Sequence, residues 1–388
     1  RTRTRDEGFE AEDEALVSCL GSPELRASLY AFNLLTRRSK KPVGVPEGVE
    51  GAAVTRIGIV GGGLMASQIA MLFASKAKLP IAMVEVNAER AEMTRGLVSV
   101  SDDMSSLAAC DFVIEAVFEQ LEVKQEVFQR LEQVVSDTCL IVTNTSGLSI
   151  TAMSDGMRHP ERVVGMHFFN PVAVMPLVEV IASDHTDDRT LASAFAFAGA
   201  LRKTAVRTAD TRGFVVNRLL LRQLSVLFDL VDQGLTLDAA KKSSDRLGLP
   251  MNAFALLDLV GAQVALHLNE TMHAQYPERF PVSKFLQGVV ALGTRTLDAN
   301  GAFTPEVGAL ASQTLALKAS DARKAVENAL AEEISIMLEE RVVEDASQID
   351  LAMMIGAGWP FALGGICGYL DYAGVSRRVC GKEFGVLG

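Results

Sequence analysis

The sequence has no apolar stretch near the ~20 residues that a membrane-spanning helix needs. Its most apolar run, Leu191 to Leu201, is about half that length. No secretory leader pattern is visible. Basic residues are in the minority, 37 Lys and Arg against 48 Asp and Glu, and the net charge of −11 argues against a nucleic-acid-binding face. Cysteine is scarce: Cys19, Cys110, Cys139, Cys367 and Cys380 are odd in number, widely spaced and never in a CxxC pair. That pattern excludes a disulfide framework and fits reduced thiols in a cytoplasmic chain. With no HExxH either, no zinc site is expected. The chain opens on Arg1-Thr-Arg-Thr-Arg5 instead of a methionine, which reads as the interior of something longer. What remains is ordinary for a globular protein, 49% hydrophobic and 22% charged, with 388 residues giving room for two or three cored domains.

Residues 1–53 carry one helical pattern, Pro23 to Arg38, with Ser22-Pro23 as N-cap and first helical position. A basic, proline-containing connector follows. From Arg56 short apolar runs (57–60, 81–86, 111–117, 140–143 and 163–167) alternate with helical segments such as 121–135. This rhythm predicts an α/β domain with a parallel sheet covered on both faces. After about Thr208 the strands stop, 213–231 reads as a long apolar helix, and the remainder reads all-α. A weak internal repeat, Leu247-Gly-Leu-Pro250 with Asp258-Leu-Val-Gly261 and then Ala357-Gly-Trp-Pro360 with Asp371-Tyr-Ala-Gly374, points to a duplicated helical domain.

Gly61-Gly62-Gly63-Leu64-Met65-Ala66 fits the G-x-G-x-x-G/A turn of a dinucleotide site. It follows one expected strand and opens one expected helix. Gly61 permits the tight turn, Gly63 lets backbone approach a pyrophosphate, and Ala66 is small enough for helix and strand to pack closely. Leu64 and Met65 place backbone N–H groups at the positive end of the helix dipole. Glu85 ends the next strand, where a carboxylate accepts hydrogen bonds from ribose hydroxyls and repels a 2′-phosphate. NAD is therefore the expected cofactor.

Four polar residues stand at strand ends or helix starts: Ser146, His167, Glu179 and Asn217. Each has an ordinary structural reading. The histidine can be a satisfied core residue, the serine a helix cap, and the asparagine a helix-to-helix bond. Glu179 is hardest to dismiss, because a carboxylate inside the apolar run Leu177-Val-Glu-Val-Ile181 is costly unless paired, and a histidine is its natural partner.

Asn144-Thr-Ser146, His167-Phe-Phe-Asn-Pro171 and Gly213-Phe-Val-Val-Asn-Arg218, in order from about Arg56 to Asp371, resemble the signatures of the L-3-hydroxyacyl-CoA dehydrogenase family. The resemblance implies a Rossmann-type NAD-binding domain followed by all-α C-terminal domains, with the active site between the first two. It implies His167 as general acid/base and Glu179 as its support. Ser146, Asn170 and Asn217 would meet the acyl-CoA substrate, and Glu119, Lys124 and Asn144 the cofactor. The segment around Ser22-Pro-Glu-Leu-Arg-Ala-Ser-Leu-Tyr-Ala-Phe32 and the helical tail with Gly358-Trp-Pro-Phe361 resemble multifunctional fatty-acid β-oxidation enzymes. In those, a hydratase domain precedes the dehydrogenase and a 3-ketoacyl-CoA thiolase is the partner subunit of an oligomer.

These readings divide the chain into a linker helix and connector (1–53), a Rossmann domain (54–208), a first helical domain (209–312) and a second (313–388). No crotonase core is visible, so no hydratase activity is expected of the chain as written. Three features depart from the family pattern. Ala66 replaces a glycine and Arg212 a proline. Only about ten residues separate Val86 from Leu97, where the family has a longer helical clamp for CoA. That shortening keeps a rival reading alive, a dehydrogenase of a free 3-hydroxy acid or sugar acid. A non-catalytic assembly subunit of the same fold is the rival from another class, and the complete polar set argues against it.

Overall fold

The computed structural model describes residues 4–20, 22–38, 41–87, 89–90, 98–245, 249–314 and 317–387. The chain divides into two compact units, residues 38–218 with 340–344, and residues 1–37 with 219–339 and 345–388.

The first unit is built on one eight-stranded sheet. Its strands are β1 (Ile57–Val60), β2 (Ile81–Val84), β3 (Ser99–Ser101), β4 (Phe112–Glu115), β5 (Leu140–Thr143), β6 (Val163–Phe168), β7 (Leu177–Ala182) and β8 (Thr204–Ala209), in spatial order β3-β2-β1-β4-β5-β6-β7-β8. β1, β4, β5 and β6 are buried along their whole length, as strands covered on both faces must be. That is why they appear in the sequence as unbroken apolar runs. The helix Leu64–Lys76 packs Ala66, Ile69, Ala70 and Phe73 inward, and the Phe73 ring meets Phe112, Phe168 and Phe197 edge-on at 6.0, 6.0 and 5.1 Å. The alternation of strands and helices read from Arg56 onward is therefore the observed architecture.

The sheet departs from the sequence reading in three places. It is not wholly parallel, because β6 and β7 pair antiparallel. Only eight residues join them, fewer than the dozen or so that a parallel crossover requires. β3 and β8 were not anticipated. Both lie at the edges of the sheet, and Ser-Val-Ser and Thr-Ala-Val-Arg-Thr-Ala carry the polar residues that edge strands tolerate. The expected helix 213–231 begins later, as Val216–Asp232.

The second unit is helical. It includes a helix the sequence reading missed, Arg5–Leu20, which has no apolar face to betray it and buries no residue. The helix Pro23–Arg38 has the expected bounds and is held by Tyr30, whose hydroxyl donates to Asp350 at 2.9 Å. The two repeat segments end alike. Asp258 accepts the backbone N–H groups of Thr296 (2.6 Å) and Leu297 (3.0 Å), and Asp371 those of Phe384 (2.8 Å) and Gly385 (2.9 Å). Gly261 and Gly374, three residues after each aspartate, both have positive φ, 95° and 67°. Leu247 and Gly248 of the first repeat lie outside the described residues, but Pro250 packs against Gly358, where a Cβ would stand 2.8 Å from Pro250 Cγ. Among the described residues no helix is long and apolar enough to cross a membrane, and no cluster of metal-ligating side chains occurs.

Candidate active site

The ends of β1 and β2 carry the glycine loop. Gly61 has φ 109°, and a Cβ there would lie 2.6 Å from the Ala116 carbonyl oxygen, so both its conformation and its neighbours require glycine. Gly62 is pressed against Glu85, whose Oε2 accepts the Gly62 N–H while Oε1 accepts that of Asn87 at 2.7 Å. Gly63 is different. Among the described residues a Cβ on it would meet no atom within 4 Å, so none of them explains the glycine. Gly63 is the N-cap of the helix Leu64–Lys76 and offers no side-chain cap. An uncapped helix start with a backbone that a ligand can approach closely fits a pyrophosphate.

The His167–Glu179 pair comes from the one antiparallel step among the described strands of the sheet. His167 on β6 is the direct cross-strand partner of Glu179 on β7. The imidazole Nδ1 lies 2.7 Å from Glu179 Oε2, with His167 4% exposed and Glu179 fully buried. The other carboxylate oxygen accepts the N–H groups of Val215 and Val216, both at 3.1 Å, at the start of the helix Val216–Asp232. Gly213 (φ 73°) and Phe214 (φ 51°) turn the chain just ahead of them. Since a carboxylate can only accept, the ring proton is assigned to Nδ1, which leaves Nε2 as the acceptor. The Phe169 and Phe214 rings, 4.4 and 5.6 Å from the imidazole, restrict its rotation.

Ser146 does not cap the short helix that follows it. That helix, Ile150–Ser154, is capped by Ser149 and Asp210, whose carboxylate takes the N–H groups of Ile150 (2.9 Å) and Thr151 (2.8 Å). Asn217, in the first turn of its helix, donates from Nδ2 to the Ser146 carbonyl at 3.2 Å. Asn144 Oδ1 accepts the Phe168 N–H at 2.9 Å and so ties the serine loop to the histidine strand. Asn170 Oδ1 accepts from Gln68 Nε2 at 2.9 Å, and Gln68 Oε1 accepts the Val172 N–H at 2.8 Å.

Glu119 accepts the Thr145 hydroxyl (2.6 Å) and the Ser146 N–H (2.8 Å) on Oε1, and its Oε2 is 3.3 Å from Lys124 Nζ. Lys124 is itself buried, with Nζ 2.7 Å from Glu115. Glu115, at the end of β4, also accepts the Val117 N–H (2.6 Å) and the Thr143 hydroxyl (2.8 Å). Sequence reasoning passed over Glu115, Gln68 and Asp210. The first had a visible signal, a carboxylate at the end of the apolar run Phe112-Val-Ile-Glu115. Lys203, also unremarked, donates to the Val172 and Met175 carbonyls, 2.5 Å each, and steadies the loop between β6 and β7; burial lowers its pKa. Most of the shortened clamp, residues 88 and 91–97, lies outside the described residues.

A glycine loop at the carboxyl ends of parallel strands and a buried His–Glu pair on the same sheet define the catalytic unit of an NAD-dependent dehydrogenase. Family comparison agrees. The model of the 3-hydroxyacyl-CoA dehydrogenase NAD-binding domain matches residues 88–211, and that of the 3-hydroxyacyl-CoA dehydrogenase C-terminal domain matches residues 213–303. The fatty acid oxidation complex subunit alpha of Acinetobacter baumannii (strain SDF) is 30% identical over 419 residues, covering 97% of this chain and 58% of that protein. This chain thus spans under two thirds of the length of such curated relatives. FadB2 of M. tuberculosis is 30% identical with a TM-score of 0.60, covering 65% of this chain and 98% of FadB2. The 3-hydroxybutyryl-CoA dehydrogenase of Escherichia coli shares the fold, with a TM-score of 0.69 at 21% identity over 86% of this chain and 96% of that one. The chain belongs to the 3-hydroxyacyl-CoA dehydrogenase family.

Proposed function

We propose that the chain oxidises L-3-hydroxyacyl-CoA to 3-ketoacyl-CoA, and that the His167–Glu179 pair is what carries the chemistry. Bound NAD supplies the hydride acceptor. The hydroxyl proton needs a base as C3–O becomes a carbonyl, and His167 Nε2 takes it. Glu179 fixes the ring through Nδ1 and offers a counter-charge to the imidazolium that forms. Ser146 and Asn217, tied together by the Asn217 Nδ2 bond, hold the substrate oxygens, with Asn170 lining the same site. Gly61, Gly63, Leu64, Met65 and Ala66 cradle the pyrophosphate, and Glu85 takes the adenosine ribose. Glu119, Lys124 and Asn144 complete the cofactor side, Lys124 acting through the two carboxylates that hold it.

We assign the Rossmann domain to 54–208, the helical domains to 209–312 and 313–388, and the linker to 1–53. By analogy with the relatives' name, the pathway is fatty-acid β-oxidation, and we propose a cytoplasmic oligomer partnered by a 3-ketoacyl-CoA thiolase. Steady-state rates of NAD reduction with matched 3-hydroxyacyl-CoA and free 3-hydroxy acid test the reading. The expected result is turnover of the thioester at far higher kcat/KM. Preference for the free acid would replace it with the rival dehydrogenase, and no turnover of either would favour a non-catalytic subunit.

A further inference from the structure

The loop between β8 and the helix Val216–Asp232 carries a cation that the reaction above does not use. Arg212 stands where the family pattern has a proline, and it is half-buried. Its Nη1 donates to the Gly147 carbonyl at 3.2 Å. Gly147 directly follows Ser146, so the guanidinium is anchored on the residue next to the serine proposed to hold a substrate oxygen. Asn217 donates to the carbonyl of that same serine.

A guanidinium has five N–H donors and cannot lose its charge in a protein. One donor is engaged by Gly147, and among the described residues no carboxylate lies within 4.0 Å to pair with the charge. The acids of the adjoining segments are committed elsewhere. Asp210 accepts from Ser149, Ile150 and Thr151. Glu119 accepts from Thr145 and Ser146 and pairs with Lys124. Glu179 accepts from His167, Val215 and Val216. A proline here would have neither charge nor donor, so the arginine adds an anion-binding capacity that oxidation of an unsubstituted chain does not call for.

We propose that Arg212 is a specificity-determining residue that selects 3-hydroxyacyl thioesters bearing a second carboxylate on the acyl chain. The proposal rests on the dehydrogenase reading above. An acyl-CoA has two places for negative charge, the phosphates of CoA and the acyl chain itself. The phosphates are separated from the thioester by the whole pantetheine arm. A group within reach of a residue beside Ser146 is therefore on the acyl chain, a few bonds from C3. A carboxylate there meets the guanidinium fork in its preferred geometry.

The test is the ratio of kcat/KM for 3-hydroxyadipyl-CoA over 3-hydroxyhexanoyl-CoA, two substrates of equal carbon count that differ in the terminal carboxylate. The wild type should favour the dicarboxylic substrate by at least about tenfold. Arg212→Gln retains an N–H for Gly147 and loses the charge, and should lower the ratio by about 10–100-fold, the worth of a charged hydrogen bond. Arg212→Lys should lower it less, since the charge stays and the fork is lost. Melting temperatures show that the variants are folded. A wild-type ratio near one, or a ratio that Arg212→Gln leaves unchanged, overturns the proposal while leaving the dehydrogenase reading intact. The matching pantetheine thioesters give a further arm. If Arg212→Gln weakens CoA substrates and not pantetheine ones, with or without the carboxylate, the cation serves the CoA phosphates and the proposal is also overturned. Failure of the wild type to oxidise either thioester removes both readings together.

Discussion

His167 and Glu179 face each other across the only antiparallel strand pair among the described strands of the sheet, with 2.7 Å between Nδ1 and Oε2. Register alone brings them together, because side chains directly opposite on neighbouring strands point the same way. The two therefore act as one unit, and their substitutions should not add. Glu179→Gln should slow turnover, since the imidazolium loses its counter-charge. The double variant His167→Gln/Glu179→Gln should be little slower than His167→Gln alone. Single and double variants measured at saturating NAD give the comparison, and strictly multiplicative losses would mean that the glutamate acts independently.

The role proposed for Glu85 makes it the residue that sets cofactor choice. Its carboxylate is buried and fixed by the Gly62 and Asn87 N–H groups, so the negative charge cannot swing away from a 2′-phosphate. NAD should be preferred to NADP in kcat/KM, and Glu85→Gln should narrow the preference. Equal efficiency with both cofactors in the wild type would count against this role.

Lys124 is held between two carboxylates, one of them fully buried. Lys124→Met leaves Glu115 without its counter-ion and should cost about 3–5 kcal/mol of stability, the usual penalty for breaking a buried pair. The double variant Lys124→Met/Glu115→Gln should recover part of that loss. Urea unfolding of the variants measures both effects.

The helical unit contains a pH-sensitive carboxyl. Burial pushes Asp350 from 3.8 up to about 7, although the Cys367 N–H and the Tyr30 hydroxyl donate to it. A folded-state value above the unfolded one means that Asp350 favours folding fully below about pH 4. That contribution falls as pH rises and is gone above about 7, at about 1.4 kcal/mol for each pH unit between the two values. Asp350→Asn should therefore gain in melting temperature relative to wild type as pH is raised from 5 to 8. A constant difference across that range would show that Asp350 does not titrate there.

The parts legible in the sequence are those whose physical constraint is local. Buried strands such as Ile57–Val60 and Leu140–Thr143 need unbroken apolar runs, and the turn at Gly61 admits no other residue type. His167 and Glu179 could be paired in advance because an unpaired carboxylate inside an apolar strand is too costly to leave alone. Their antiparallel pairing was implied by the eight residues that join the two strands, too few for a parallel crossover. The register itself was not, since it depends on the path of a loop held by tertiary contacts such as Lys203 with Val172 and Met175. The edge strands Ser99–Ser101 and Thr204–Ala209 carry too few apolar residues to show. Glu115 and Gln68 act through partners that only the fold brings near. The resemblance named the residues of the site, and the structure supplied how they are held.

Replacing His167 tests the central claim most directly. With a 3-hydroxyacyl-CoA and NAD, His167→Gln should lower kcat by roughly 10²–10⁴-fold, the worth of a positioned acid/base, equivalent to about 3–5 kcal/mol of barrier. The variant should keep its fold by circular dichroism and still bind NAD by fluorescence titration. Near-normal kcat in a folded His167→Gln protein would contradict the account and return the histidine to the role of a hydrogen-bonded core residue.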